Sequence, residues 1–320
     1  GLTALAASLV SVSANAGALT ASGSASMNTE GHSGTGLDAG TTFSMANSVV
    51  LSGSGELDNG MTVSLSFELD QSDTDGDGSS FDSHSVTVSS DTLGTLTLAG
   101  HGGSSTTGKI DTTAAGDMWD NFDGVTYTGG VTVADAVSAN SGENNNLLYT
   151  SPDLMDGLNV TLSYNPQVTL NESETGYGVN YSGIEGLSLS YAVTDENTHA
   201  GSDTSGDNTV IKASYAYGPV TVAYSEMEHD EGLSSGANDI TMTSYALTYT
   251  MSDELSVTYG SETSDKGSKT TDLEIEGISV AYTTGGMTIS ASSMSLENGN
   301  WGTGSEEDMD YWALGASFAF

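Results

Sequence analysis

The sequence predicts an all-β protein, a 16-stranded antiparallel up-and-down transmembrane β-barrel. The first observation is that apolar and polar residues alternate one by one in short segments along most of the 320 residues. The second is that short turns and long acidic loops alternate between these segments. The third is that the polar faces carry Ser, Thr, Asn and other small residues, which suit a water-filled lumen.

The alternation is clearest in the segments Met61–Leu69, Leu158–Tyr164 and Leu187–Val193. Because successive residues of a strand face opposite sides of the sheet, each segment has one apolar and one polar face. The same reading along the chain predicts sixteen strands, over residues 18–29, 41–57, 61–70, 83–90, 95–101, 146–151, 158–165, 175–182, 187–194, 209–217, 220–226, 239–250, 254–261, 271–282, 287–296 and 309–320.

The connections between these strands differ in length and composition. The short ones carry the Gly, Asn, Asp and Pro residues of tight turns, as in Asp58–Gly60, Gly218–Pro219 and Thr284–Gly286. The long ones are acidic and rich in Gly and Ser, and cover residues 30–40, 71–82, 102–145, 166–174, 195–208, 227–238, 262–270 and 297–308. The apolar parity changes within residues 239–250 and 271–282, which predicts a β-bulge in each of these strands.

A sheet of this size fits a soluble sandwich or a membrane barrel. In a sandwich the apolar face packs on a second sheet, but 36% hydrophobic residues and 6 Phe would give sixteen strands a thin core. In a barrel the apolar face meets lipid, and closure removes the exposed edge strands. Tyrosines at or near the ends of the apolar faces favour the barrel, because aromatic girdles mark membrane interfaces: Tyr164, Tyr191, Tyr224, Tyr249, Tyr259 and Tyr282.

Charge and residue usage exclude several classes of function. Asp and Glu total 43 against 4 Lys and no Arg, which gives a net charge of -39. A chain without a basic surface cannot neutralise phosphates, so nucleic-acid binding is excluded. The absence of Cys excludes thiolate metal sites and Cys nucleophiles. The five His residues adjoin acids only as often as chance allows in so acidic a chain, so we predict that the protein is not an enzyme.

Residues 1–16 have the pattern of an export signal. An apolar stretch from Leu2 to Val12 precedes Ala14-Asn15-Ala16, which is a small-x-small cleavage site. The stretch is too short to span a bilayer as a helix. We therefore expect a residual signal peptide over residues 1–16 and the barrel over residues 17–320. A buried first strand or helix is the alternative.

One acidic loop carries half of a calcium-binding pattern. Asp73, Asp75 and Asp77 precede Gly78 with the spacing of the first half of a calcium loop. His84 stands where the final Glu ligand belongs. The pattern predicts Ca²⁺ on this extracellular loop, and a flexible loop tip is the alternative.

Three stretches give the chain a resemblance to a known family. Tyr311–Phe320 is similar to the closing strand of outer-membrane barrels, because alternate residues are apolar and the last is aromatic. Asn146–Pro152 with Leu158–Tyr164 looks like the strand pair that follows the constriction loop of general porins, and Gly94–His101 resembles the strand before that loop. Together these stretches resemble the trimeric, 16-stranded general porins of Gram-negative outer membranes, nearest to the alphaproteobacterial type.

This resemblance implies a passive outer-membrane channel for small hydrophilic solutes and ions that requires no cofactor. It further implies a homotrimer in contact with outer-membrane lipid and lipopolysaccharide, with loop 3 folded into the lumen. The constriction loop would then span residues of about 102–145, with the acids Asp111, Asp117, Asp120, Asp123, Asp135 and Glu143. Family members place wall arginines opposite such acids, and this chain has none.

Three cations remain as candidates for the constriction: His101, Lys109 and Lys212. Strand parity points His101 and Lys212 into the lumen, and Lys109 lies in the loop itself. Parity also places three acids on the lumen face: Glu56, Glu68 and Asp70. Because an acidic lining raises the local concentration of cations, the sequence predicts a cation-preferring channel.

A function of another class fits the same composition. A secreted or surface-attached, calcium-dependent structural or adhesive β protein would also be acidic, rich in Gly, Ser and Thr, and free of Cys. The regular rhythm of short and long connections, the terminal Phe320 and the absence of tandem nonapeptide repeats favour the channel.

Overall fold

The computed structural model describes residues 19–33, 40–70, 81–125, 144–166, 173–196, 206–232, 235–303 and 308–320. The predicted signal peptide, residues 1–16, lies outside these ranges. The described strands are β1 (Thr20–Ser33), β2 (Gly40–Glu56), β3 (Thr62–Asp70), β4 (Ser83–Ser90), β5 (Gly94–His101), β6 (Asn146–Thr150), β7 (Leu158–Asn165), β8 (Glu174–Tyr181), β9 (Leu187–Glu196), β10 (Asp207–Tyr217), β11 (Val220–Asp230), β12 (Ile240–Thr250), β13 (Leu255–Lys266), β14 (Leu273–Thr284), β15 (Met287–Glu297) and β16 (Met309–Ala319).

The sixteen strands form one closed antiparallel barrel in chain order, and β1 completes the circle beside β16. The predicted fold class is therefore confirmed. Helical structure among the described residues is limited to three short 3₁₀ helices, Gly108–Ile110, Met118–Asn121 and Gly299–Trp301. In this part of the chain no helix is long and apolar enough to cross a membrane.

Several strands continue past their predicted limits at the long-loop end of the barrel. β1 reaches Ser33, β11 reaches Asp230 and β13 reaches Lys266. In β11 the backbone pairing with β10 and β12 persists through these polar positions. The apolar alternation therefore marks only the lipid-facing part of each strand, while the hydrogen-bond ladder extends beyond it.

The register of the strands separates an outward face from an inward face, because directly opposed residues lie on the same side of a sheet. The outward face exposes large apolar side chains such as Leu65, Leu98 and Leu247. Five of the tyrosines predicted to form a girdle are exposed on this face as well: Tyr164, Tyr191, Tyr249, Tyr259 and Tyr282. An apolar surface with tyrosines suits contact with lipid.

The two changes of apolar parity are not β-bulges, so that prediction is wrong. The register of β12 with β11 and β13 is continuous, as is that of β14 with β13 and β15. Met242, Leu273 and Ile275 are instead buried on the inward face. At one end of these strands the apolar residues face outward, toward lipid. At the other end they face inward, toward a packed loop, so the apolar parity changes along each strand.

The barrel closes through the last residue of the chain. The Gly23 N–H donates to the Phe320 carbonyl at 2.8 Å, and the Phe320 N–H donates to the Gly23 carbonyl at 3.0 Å. The Phe320 ring lies over Gly23, 2.6 Å from where a Cβ would stand, and the Trp312 indole covers Gly31 in the same way. Aromatic rings over outward glycines shield backbone that has no side chain of its own.

Candidate functional site: the lumen constriction

Residues 102–125, here called the inner loop, run across the inside of the barrel. They hydrogen-bond to inward side chains and backbone on β1, β7, β9, β10, β11, β12 and β13, through His32, Ser163, Val193, Thr194, Lys212, Ser225, Ser244 and Glu262. β1 and β9 stand on opposite sides of the closed barrel. A loop that contacts the inward faces of both must lie in the lumen, which confirms the implied inward-folded loop 3.

Two wall serines hold the backbone of the inner loop. Ser225 Oγ accepts the Ala114 N–H at 2.8 Å, and Ser244 Oγ accepts the Ala115 N–H at 2.9 Å. Both serines are fully buried. An unpaired buried N–H costs about 1–3 kcal/mol, so these hydroxyls remove a penalty that an irregular loop inside a barrel would otherwise carry.

Glu262 of β13 is the strongest anchor of the inner loop. Its carboxyl group accepts the Thr113 hydroxyl at Oε1 and the Trp119 N–H at Oε2, the latter at 2.9 Å. Thr113 Oγ1 in turn accepts the Asp117 N–H at 2.7 Å, and Asp117 Oδ1 accepts the Thr113 N–H at 2.8 Å. The fully buried Glu262 therefore fixes the turn that leads into the second 3₁₀ helix.

Glu262 was not among the residues predicted for the site. It lies on the inward face of β13, at the same parity as Thr258 and Gly260. Sequence reasoning placed residue 262 in a long loop, because the apolar face of β13 ends near Tyr259. A continued strand register through residue 262 was the signal that could have found it.

Paired glycines let the second 3₁₀ helix approach the wall. Gly260 and Gly277 oppose one another on β13 and β14. A Cβ on Gly260 would lie 2.8 Å from Ala115 Cβ and 2.9 Å from Met118 Sδ, and one on Gly277 would lie 3.2 Å from the same sulfur. The two distances at Gly260 are shorter than real Cβ contacts, and the distance at Gly277 is a tight one, so the lack of side chains at both positions gives the loop room at this depth.

A buried apolar cluster secures the same end of the inner loop. It joins Met118, Phe122 and Val125 of the loop to Leu273, Ile275, Leu296, Trp301, Met309 and Tyr311. Burial of each large side chain contributes about 1.5–3 kcal/mol. The inner loop is therefore held by packing as well as by hydrogen bonds, over strands β14 to β16.

The predicted cations occupy different positions. Lys212 projects from β10 and donates to the Thr112 carbonyl of the inner loop. Lys109 is exposed in the first 3₁₀ helix. His101 lies at the end of β5, next to a shift in the register between β4 and β5. Its Nδ1 is hydrogen-bonded to the Asp82 carbonyl.

Three of the four described acids of the inner loop, Asp117, Asp120 and Asp123, lie at or beside its second 3₁₀ helix. Asp120 and Asp123 are exposed, whereas Asp117 is half-buried and bound to Thr113. Partial burial, together with the nearby charges of Asp117 and Asp123, raises the pKa of Asp120 above its ordinary value. Asp111, also half-buried, and Asp117 lie within electrostatic range of the Lys212 ammonium. Asp120 and Asp123 therefore form a negatively charged patch. It lies beside Asp111 and Asp117, whose charges Lys212 partly balances.

The three acids assigned to the lumen face do not form one ring. The register places Glu56, Glu68 and Asp70 on the inward face. Glu56 lies next to a short turn, whereas Glu68 and Asp70 lie at the opposite end of β3. Glu68 also accepts a hydrogen bond from Ser83 Oγ at 3.1 Å. The two ends of the pore therefore carry separate acidic groups.

Some predicted site residues fall outside the described ranges: Asp135, Glu143 and the calcium candidates Asp73, Asp75 and Asp77. Among the residues that the structure does describe, no group of three or more His, Asp or Glu side chains is arranged to hold a metal ion.

Known proteins share this architecture. A family model described as "Gram-negative porin" matches residues 1–275. An anion-selective porin from Comamonas acidovorans is similar at 16% identity and a TM-score of 0.69, with 96% of this chain and 100% of that chain covered. A variant of the Rh. blastica porin is similar at 20% identity and a TM-score of 0.65, covering 95% and 100%. At these identities the likeness shows the fold alone, and no curated protein sequence matches the chain.

The anchoring role of Glu262 is testable by substitution. Glu262→Ala removes both acceptors of the Thr113 hydroxyl and the Trp119 N–H, so we expect a loss of about 2–3 kcal/mol in stability and a noisier open channel. Thermal unfolding in detergent and single-channel recordings measure the two effects. The matched control is Glu274→Ala, which alters an exposed acid on the outward face of β14. A Glu262→Ala protein that behaves like this control would contradict the role.

Proposed function

Because the chain belongs to the Gram-negative porin family, we propose that its outer-membrane diffusion channel for small hydrophilic solutes and ions prefers cations. The family and the fold are those of passive channels rather than enzymes. The family match also favours the channel over the adhesive β protein that the composition alone allowed. The preference for cations is the additional step, and it depends on the charges that line the inner loop.

The observation that carries the proposal is the imbalance of charge at the inner loop. Asp120 and Asp123 are exposed on the inner loop, and Lys212 lies within electrostatic range of Asp117 and Asp111. The whole chain has no Arg and a net charge of -39. Fixed negative charge in a narrow passage raises the local concentration of cations and lowers that of anions.

The mechanism needs no bond-making chemistry. A solute enters from the long-loop side, passes the inner loop and leaves at the short-turn side. The rigid attachment of the loop through Glu262, Ser225 and Ser244 keeps the size of the passage constant. Selection by size therefore comes from loop placement, whereas selection by charge comes from the acids that the loop carries.

The fold does not determine the sign of the preference. The similar structure from Comamonas acidovorans is an anion-selective porin. Under this proposal, two barrels of one architecture differ in selectivity through the side chains of the pore. For this chain, the acids of the inner loop and the absence of Arg support the cationic preference.

We also propose that the channel assembles as a homotrimer, in contact with outer-membrane lipid and lipopolysaccharide on its apolar outward face. The support is family membership together with the exposed apolar side chains of that face. On an unboiled gel the protein is expected to migrate as a detergent-resistant oligomer that boiling converts to the single chain. A native mass spectrum that contains only single barrels would contradict the trimer.

The cation preference is tested by the reversal potential in a planar bilayer under a KCl gradient. We expect stepwise, ohmic conductance with a potential of cation-selective sign. The potential should shrink as salt rises, because the screening length falls from about 10 Å at 0.1 M to about 3 Å at 1 M. Conductance without selectivity, or with anion selectivity, would refute the preference while leaving the channel intact.

The pH dependence of the preference follows from Asp120. Because its pKa is raised from the ordinary 3.8, this carboxylate takes up a proton on acidification before an ordinary Asp does. The cation preference should therefore begin to fall at a pH above that ordinary value. Asp120→Asn should lower the preference at neutral pH and remove this early step. Asp91→Asn, in a short turn outside the lumen, is the control and should titrate like the unmodified channel. Identical pH profiles for all three proteins would exclude Asp120.

A further inference from the structure

A cavity of about 230 Å³ lies between the first 3₁₀ helix of the inner loop and the inward face of β6 to β9. The register sets Thr150, Thr161, Gly178 and Ala192 side by side across these four strands. Gly178 and Ala192 have the smallest side chains of this row, which makes the wall concave there.

The cavity stands on the exit side of the inner loop. Ser163 of β7 holds the loop through the Thr106 N–H at 3.1 Å. Thr161 and Asn159 follow on the same face of β7, between Ser163 and the short turn that precedes the strand. A solute that has just passed the loop therefore meets this part of the wall.

Besides Tyr191 and Thr106, whose hydroxyl donates to the Val193 carbonyl, five polar side chains line the cavity: Lys109, Thr150, Asn159, Thr161 and Asn180. We call them the polar niche. Asn180 Nδ2 donates to Asn159 Oδ1 at 3.1 Å, which leaves the Asn159 N–H donors and the Asn180 Oδ1 acceptor available. In the described part of the chain, neither the Thr150 nor the Thr161 hydroxyl has a side-chain hydrogen bond, although Thr161 is only 4% exposed. Neither hydroxyl is among the described polar atoms that are buried without a partner, so both oxygens remain open to the cavity that they line.

We propose that the polar niche binds a small neutral polyhydroxylated solute, of the size of a monosaccharide, as it leaves the constriction. The inference rests on the proposed channel function and specifies one class of solute that the channel favours. The niche offers donors from Lys109 and Asn159, an acceptor from Asn180, and two hydroxyls that act as either. A polyol carries the matching mixture of donors and acceptors.

The charges around the niche select against ionic solutes. Among the described residues no carboxylate lines the cavity, and the Lys109 ammonium repels a cation at this point. A single ammonium in a chain of net charge -39 does not draw anions past the acids of the inner loop. Ile110 and Ala192 supply apolar surface that suits the C–H face of a sugar.

Binding at such a niche must be weak for the solute to continue. A conducting site has to be favourable enough to enter and loose enough to leave. Weak binding at the niche makes the permeation rate of polyols saturable, whereas an inert pore gives a rate that rises in proportion to concentration.

The experiment records single channels of the full-length protein in KCl while D-glucose is added. We expect excess current noise that saturates with glucose concentration. D-gluconate and D-glucosamine share the carbon skeleton but carry opposite charges, and both should bind more weakly than glucose. Asn159→Leu combined with Asn180→Leu removes the carboxamides at nearly constant shape. It should raise the half-saturating glucose concentration about tenfold and leave KCl conductance in place.

The matched control is Asn28→Leu, an inward carboxamide on β1 that lies outside the niche; it should respond to glucose like the unmodified channel. If the double variant does not fold, Thr161→Val tests the same niche by removing one hydroxyl. A glucose effect that is linear in concentration, or unchanged by the niche variants, would overturn the proposal. Tighter binding of gluconate would overturn the neutral class. Absence of any channel in the unmodified protein would instead refute the proposed function.

Discussion

The closure of the sheet is the constraint on which the rest of the molecule depends. Lipid offers no hydrogen-bond partner, so every backbone group of a spanning strand must pair with a neighbouring strand. The sixteen described strands meet this demand by forming a circle in which β1 pairs with β16. Once the register is fixed, each side chain faces either lipid or lumen. Where it meets lipid the outward face is thereby apolar, and the polar contacts that hold the inner loop are built on the inside, where Glu262 and the wall serines lie.

The inner loop extends the same requirement into the lumen. Its backbone is irregular, and it cannot satisfy its own N–H groups as a strand does. The wall supplies acceptors where the loop meets it, with Ser225, Ser244 and Glu262 aligned on three neighbouring strands. Apolar residues take over on the following strands, where Leu273 and Ile275 receive Met118 and Phe122. The lumen wall is therefore polar where the loop presents backbone and apolar where it presents side chains.

Most of the fold was predictable from the sequence, because period-two alternation reports which face of a strand meets lipid. The same signal fails where the environment inside the barrel changes. Met242 and Ile275 look like errors of register, and they were misread as bulges, although they are apolar because a loop packs on them from within. Glu262 was missed for a related reason, since hydropathy ends before the hydrogen-bond ladder does. The polar niche depends on Gly178 of β8, a small residue that lies opposite Thr161 on the neighbouring strand β7. No local sequence pattern reveals such a pairing of residues.

The fold alone does not determine which ions a channel of this architecture prefers. A barrel of this architecture is compatible with anion selectivity in the Comamonas acidovorans porin, so the sign must come from side chains that closure leaves free to vary. In this chain the wall offers Lys212 to the inner loop, where its ammonium meets the Thr112 carbonyl and faces Asp111 and Asp117. Lys266 lies over the Trp301 ring instead, 4.9 Å from its centroid. Lys212 and Lys266 thus contact loop residues, whereas Asp120 and Asp123 remain exposed on the inner loop.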